Sequence, residues 1–111
     1  MATIYKNIIP SKLIESASTM QYTTATAKAI IDKFTALNTD SVERTITVYI
    51  VPGAGSPSAT NMVVKTKAIS AGQTASLHEL IGHVMEAGGS IYTAASAATA
   101  ISIRASGREI S

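Results

Sequence analysis

The chain contains no cysteine and no tryptophan, and its aromatic residues are one phenylalanine and four tyrosines. The absence of cysteine excludes disulfide bonds and thiolate chemistry. The shortage of aromatic rings leaves few platforms on which sugars or bases could stack. No apolar run approaches the ~20 residues of a membrane-spanning helix, and no leader-like stretch follows a basic start. We therefore expect one domain, residues 1–111, that is made and kept in a cytoplasm or assembled there.

Charged residues are also scarce, at 14% of the chain against a typical share of about 25%. The net charge is +2, and the nine basic residues form no stripe along the sequence. This scatter argues against a nucleic-acid partner, which normally requires a basic patch. Alanine, serine and threonine replace the charged residues. Such a surface is typical either of a β-rich domain or of a protein that stays docked in an assembly.

The clearest pattern lies in residues 43–51, where Ile46, Val48 and Ile50 alternate with polar or aromatic neighbours. A period of two in β-branched residues predicts a half-buried strand rather than a helix. The segment PGAGSP at residues 52–57 then ends the strand. A strand of this kind needs a second layer against which to bury its apolar face.

Other segments predict short strands separated by turn signals about every ten residues. Residues 77–85 are expected to form a single helical turn or an irregular crossing, and residues 100–105 the final strand. In the strand at residues 62–69, four side chains are expected to face inward: Met62, Val64, Thr66 and Ala68. The pattern indicates about eight strands in an all-β, antiparallel, jelly-roll-like β-sandwich.

Two segments leave alternatives open. Residues 27–38 place several apolar side chains at helical spacing, but their threonines and their partial alternation favour a strand. Residues 1–14 contain Ile8-Ile9-Pro10, which indicates an edge strand or an extended arm because proline cannot donate to a strand ladder.

The segment HELIGH at residues 78–83 approaches the H-E-x-x-H motif of zinc proteases. Its second histidine stands at i+5 instead of i+4, so the two rings would lie ~140° apart around a helix. Neither a Gly-x-Ser-x-Gly elbow nor a lysine-containing phosphate loop is present. We expect no enzymatic activity, no metal and no cofactor, and we keep a hydrolase built on His78, Glu79 and His83 only as a hypothesis for metal analysis to test.

Two segments resemble a known family. Residues 45–52 read TITVYIVP, a strand that ends in proline, and residues 74–91 read TASLHELIGHVMEAGGSI, a crossing followed by a glycine-rich turn and a terminal strand. Together with the length and the Ala/Ser/Thr-rich composition, they resemble small β-sandwich proteins of tailed bacteriophage virions. The likeness is to the capsid cement, or staple, proteins of epsilon15-type phages, and it covers about residues 40–110.

The resemblance implies a non-enzymatic virion protein that binds the outside of the capsid lattice and staples major capsid subunits together, as a homodimer. It implies no nucleic-acid, membrane or small-molecule partner. The alternatives are a neck, tail or fibre component, or a glycan-binding host-recognition module. The residues predicted to bind a partner are Ile4, Tyr5, Ile8, Ile9, Leu13, Pro52, Ser56, Pro57, His78 and His83.

Overall fold

The computed structural model describes residues 2–53 and 55–111, so Met1 of the predicted arm and Ala54 of the predicted loop lie outside the described residues. The described residues form nine strands: β1 Thr3–Leu13, β2 Thr19–Thr23, β3 Lys28–Asn38, β4 Arg44–Val51, β5 Met62–Ile69, β6 Thr74–Ser76, β7 Val84–Met85, β8 Ser90–Ala95 and β9 Ile101–Ile110. Short 3-10 turns span Ala59–Asn61 and His78–Leu80. No helix among these residues is both long and apolar enough to cross a membrane.

The strands form two antiparallel sheets. Sheet A has the order β1-β9-β3-β6, with β7 also paired to β3, and sheet B has the order β2-β8-β4-β5. The first strand therefore pairs with the last, and the chain repeatedly crosses between the sheets. This order is that of a jelly roll, in which two Greek keys close into a double sheet. The predicted all-β, jelly-roll-like sandwich is confirmed.

The core lies between the sheets and takes the apolar side of the long strands. In β4, Ile46 and Val48 are fully buried while Thr45 and Thr47 are half-buried on the other side. Phe34, the single phenylalanine, is also fully buried. Burial of a side chain of this size stabilises the fold by about 1.5–3 kcal/mol relative to exposure. The alternation that predicted β4 thus marks the face that it buries.

The segment at residues 27–38 is a strand, β3, from Lys28 onward, and a bulge explains its helix-like spacing. Ile31 pairs with Gly107 and Lys33 with Ser106, so the register shifts by one residue between Ile31 and Lys33. Ile31 and Phe34, three residues apart, are therefore both fully buried on one face of a strand. The spacing that suggested a helix comes from an inserted residue.

The N-terminal segment is an edge strand and not a free arm, because β1 pairs with β9 from Thr3 to Leu13. Register shifts lie on both sides of Ile9. They allow two consecutive side chains, Ile8 and Ile9, to be buried with exposed fractions of 4% and 1%. The prediction that Ile8 and Ile9 bind a partner is corrected here, because both side chains pack in the protein's own core.

Strand β5 also departs from simple alternation. Thr66 has a positive φ of 45°, and its N–H donates to Thr47 Oγ1 at 3.0 Å. This irregular residue reverses the phase, so Thr66 and Ala68 are exposed and Ile69 is buried. The inward orientation expected for Thr66 and Ala68 is therefore wrong, whereas Val64 is buried as expected. The final strand extends to Ile110, well beyond residue 105.

Candidate interaction surfaces

The ionisable groups are distributed as separate pairs on the surface. Six of the seven acidic residues form ion pairs, which are Lys6–Glu109, Lys12–Glu15, Lys28–Glu86, Arg44–Asp40, Lys67–Glu79 and Arg108–Asp32. Exposed pairs of this kind typically contribute about 0–1 kcal/mol each. Across residues 2–53 and 55–111, no three His, Cys, Asp or Glu side chains are close enough to hold a metal ion.

One pair reaches into the sandwich and joins the two sheets. The Tyr22 hydroxyl in sheet B donates to Glu109 Oε2 in sheet A, and Lys6 contacts the same carboxylate at 3.3 Å. The hydrogen bond from Tyr22, followed by the Lys6 charge, lowers the pKa of Glu109. Burial and the neighbouring carboxylate raise the pKa of Tyr22, so the phenol stays protonated as a donor. This arrangement ties the sheets together and engages the Glu109 carboxylate with both Tyr22 and Lys6.

The two histidines are exposed and lie apart from any acidic cluster. His78 begins a 3-10 turn, and His83 precedes β7, where its carbonyl accepts from Ile31 N–H at 3.3 Å. Gly82 between them has a φ of +88°, which interrupts any helix that could align the rings. The helix on which the H-E-x-x-H motif depends is therefore replaced by a 3-10 turn that ends before His83.

His83 also lines a cavity of about 360 Å³ where the sandwich opens between β5 and β7. Its walls are mainly apolar, from Ile50, Met62, Val63 and Met85. The volume is at the lower end of ligand pockets, which span roughly 300–1,000 Å³. Glu86 lines this cavity, and its Oε1 atom lies 3.7 Å from Lys28 Nζ in an ion pair. The cavity is therefore an apolar recess whose one carboxylate is already paired.

The remaining predicted contact residues lie on β1 and in the loop after β4, where Pro52 lines the same cavity as His83. On β1, Ile4, Tyr5 and Leu13 have exposed fractions of 56%, 80% and 46%. In the loop after β4, Pro52 and Ser56 are exposed and Pro57 is half-buried. That loop is held by its own bonds, since Asn61 accepts from Ser58 N–H at 2.9 Å and donates to the Ser56 carbonyl at 3.1 Å.

The outer face of sheet B contains a surface that sequence reasoning missed. Strand pairing places four residues directly opposite one another across all four strands, and we call them the tyrosine–methionine row: Met20, Tyr92, Tyr49 and Met62. Of these, Met62 lies next to a register shift and also lines the cavity. Met20 is 46% exposed and the others are half-buried. The next pairs along β4, Thr47 with Ala94 and Thr45 with Ala68, are uncharged.

The sequence predicts only part of the tyrosine–methionine row. Alternation directs Tyr49 and Tyr92 outward, but they are far apart in sequence and their pairing depends on the register of β4 against β8. Such a surface resembles the centre of protein interfaces, where Tyr and Met are enriched and Lys, Glu and Asp are depleted. Its two tyrosine rings could also stack against a neutral ring.

Comparison with protein-family models, with curated proteins and with solved structures finds no match for this chain.

Proposed function

We propose that this chain is a non-enzymatic structural protein of a tailed-phage virion, which binds the outside of the capsid lattice and staples major capsid subunits together. The observation that supports it best is the tyrosine–methionine row, whose four uncharged residues have the composition of an interface centre. The jelly roll adds an analogy at the level of fold, because viral capsid proteins often use it. The proposed partners are the major capsid protein and a second copy, with no nucleic acid, membrane or small-molecule substrate.

Stapling in this proposal requires burial of surface and no chemistry. A protein that binds only the assembled lattice stabilises it by mass action, by about 2.7 kcal/mol per site when its free concentration is 100 times Kd. Over many sites, this energy resists the loss of subunits and the pressure of packaged DNA. The scarcity of surface charge fits a face that is desolvated on docking, because buried unpaired charges are costly.

The test uses heads prepared with and without the protein, and measures the temperature and the salt concentration at which packaged DNA becomes accessible to a dye. Heads that contain the protein are expected to resist both stresses better. Equal resistance of the two preparations would contradict the proposal. Added protein should restore the resistance of deficient heads in proportion to the sites that it fills.

A pair of matched variants locates the docking face. Met20→Lys places a charge in the tyrosine–methionine row, and Leu37→Lys places one on the outer face of sheet A, where Leu37 is 37% exposed. Met20→Lys is expected to weaken binding to heads at least about tenfold, since the ammonium would be desolvated without a partner. Leu37→Lys is expected to bind like the parent protein. Weakening by Leu37→Lys alone would place the docking face on sheet A.

A glycan-binding host-recognition module is the second candidate, because Tyr49 and Tyr92 lie directly opposite each other and their hydroxyl-rich surroundings suit a neutral sugar. Jelly rolls also include lectins. A glycan array that gives a specific hit, lost in Tyr92→Ala, would favour this function over stapling. Binding to deficient heads with no hit on the array would favour stapling.

A further inference from the structure

Among the residues that the structure describes, no strand pairs with the outer edge of β1, so backbone hydrogen-bonding groups are exposed there. Ala2 and Ser111 form two backbone hydrogen bonds with each other, at 3.0 and 2.9 Å. This pair determines which residues of β1 form hydrogen bonds to β9, since they alternate along an antiparallel pair. Ile4 and Lys6 therefore bond to β9, while the N–H and C=O groups of Thr3 and Tyr5 point away from it. Residues 3–7 are all exposed, and β1 ends the strand order of sheet A.

The other sheet edges have features that discourage strand pairing. Edge strands are usually protected by shortness, bulges, proline or lysine. Strand β2 has five residues and a register shift, and β6 and β7 have three and two residues. Strand β5 contains Lys65, Lys67 and two register shifts against β4. The second half of β1 contains Pro10 and the register shift between Ile9 and Lys12.

The first half of β1 has fewer of these protections, because it contains no proline, no register shift from Thr3 to Lys6 and only one lysine. It is regular from Thr3 to Lys6, and its one charged side chain, Lys6, is held by Glu109 at 3.3 Å. It also exposes two large apolar side chains on opposite faces, Ile4 at 56% and Tyr5 at 80%. Beside Tyr5, the outer face of sheet A continues through Arg108 and Ile30 to Val84, which is 52% exposed.

We infer that residues 3–7 of β1 receive an extended strand from the lattice protein, which continues sheet A by β-addition. The inference rests on the proposed function for the identity of the lattice. The unpaired groups at Thr3 and Tyr5 alternate with a period of two, which only an extended chain can match. Two consecutive apolar residues in the incoming strand would cover Tyr5 on the outer face and Ile4 on the inner one.

The area argues for a larger partner over a second copy. Covering Ile4 and Tyr5 would bury about 300 Å² on each side, or roughly 600 Å² in a symmetric pair. Stable complexes bury about 1,200–2,000 Å². Pairing between two copies through this edge alone falls short of that range. A strand attached to a lattice protein that also covers neighbouring surface reaches it.

Hydrogen exchange measured by mass spectrometry tests the inference on the intact protein, free and bound to heads that lack it. In the free protein, the amides of Thr3 and Tyr5 should exchange quickly while those of Ile4 and Lys6 are protected. Binding to heads should slow exchange at Thr3 and Tyr5. Fast exchange at both in the bound protein would overturn the inference. Protection in the free protein that rises with its concentration would also overturn it, by identifying a second copy as the occupant.

Backbone variants give an independent measurement. Tyr5→Pro removes an outward N–H and breaks no bond to β9, so it should fold and yet bind heads at least about tenfold more weakly. Tyr5→Thr keeps the N–H and should lose less. Ser11→Pro, on the same edge but inside the register shift between Ile9 and Lys12, is the control and should bind like the parent protein.

The outcomes separate the two proposals. If the parent protein does not bind heads, the proposed function and the strand addition both fail. If the parent and a folded Tyr5→Pro bind equally, the strand addition alone fails. If Tyr5→Pro does not fold, exchange at Thr3 and Tyr5 in the parent protein decides.

Discussion

Gly107 is the position at which a single methyl group should damage the fold most. It lies in β9, between β1 and β3, opposite Lys6 and Ile31, and it is buried. A Cβ built there would lie far inside 3.0 Å of the Ile30 carbonyl oxygen, a separation that real Cβ atoms essentially never show. It would also lie 3.2 Å from the Ile30 carbonyl carbon. Because the obstructing atoms belong to the backbone, no side-chain rotation can relieve the clash.

Relief of the clash in Gly107→Ala requires β9 to move away from β3 next to the bulge. That movement stretches ladder hydrogen bonds and disturbs the packing of Ile31, which is fully buried. Overpacking in well-packed regions costs about 1–3 kcal/mol, and a backbone clash belongs at the upper end. We expect a loss of about 3 kcal/mol in the free energy of unfolding. For a domain of this size, that lowers Tm by about 12 °C.

The matched control is Gly72→Ala. Gly72 lies in a turn with a φ of +72°, and a Cβ there would have no heavy atom within 4 Å. Only backbone strain opposes alanine, so the expected cost is about 1 kcal/mol. Urea unfolding followed by tyrosine fluorescence gives both free energies, since the chain has no tryptophan. A cost for Gly107→Ala no larger than that for Gly72→Ala would refute the steric argument.

Two further predictions concern buried polar groups. Asn38 is fully buried and donates to the carbonyls of Val42 and Ile69 at 2.8 and 2.9 Å. Asn38→Ala should therefore lower the free energy of unfolding in urea by about 2–3 kcal/mol. A decrease below about 1 kcal/mol would contradict this role. Tyr22→Phe should cost about 1–3 kcal/mol at pH 7, because it removes a hydrogen bond to a carboxylate. The folded-state pKa of Glu109 lies below its unfolded value, so its stabilisation is complete above the unfolded pKa and is lost as pH falls through the folded pKa. The difference in Tm between the parent protein and Tyr22→Phe should therefore shrink from pH 7 to pH 3, and a constant difference would contradict the pairing.

The fold class could be predicted because its signals are local. In β4, the contrast between Ile46 and Thr47 repeats every second residue and needs no knowledge of the partner strands. Turn residues between such segments then imply antiparallel layers. The structure confirms this reading.

Bulges account for most of the local errors. Each bulge adds a residue, so the side chains that follow it point to the opposite face from the one expected. The residue types at Ile8-Ile9 and at Thr66 give no sign of a bulge. The burial of Ile8 and Ile9, and the exposure of Thr66 and Ala68, follow from these shifts. The pairing of Tyr49 with Tyr92 escaped prediction for a different reason, since register between distant strands is set by the packed sandwich as a whole.

A stapling role requires two surfaces that can be occupied at the same time by different neighbours. The edge of β1 belongs to sheet A, and the tyrosine–methionine row lies on the outer face of sheet B; the two share no residue. One lattice subunit could therefore extend sheet A while another covers the row. Either contact alone would attach the protein to the lattice without joining two subunits. A glycan-binding module would need only the row, so loss of binding from variants at both surfaces separates stapling from recognition more directly than either surface alone.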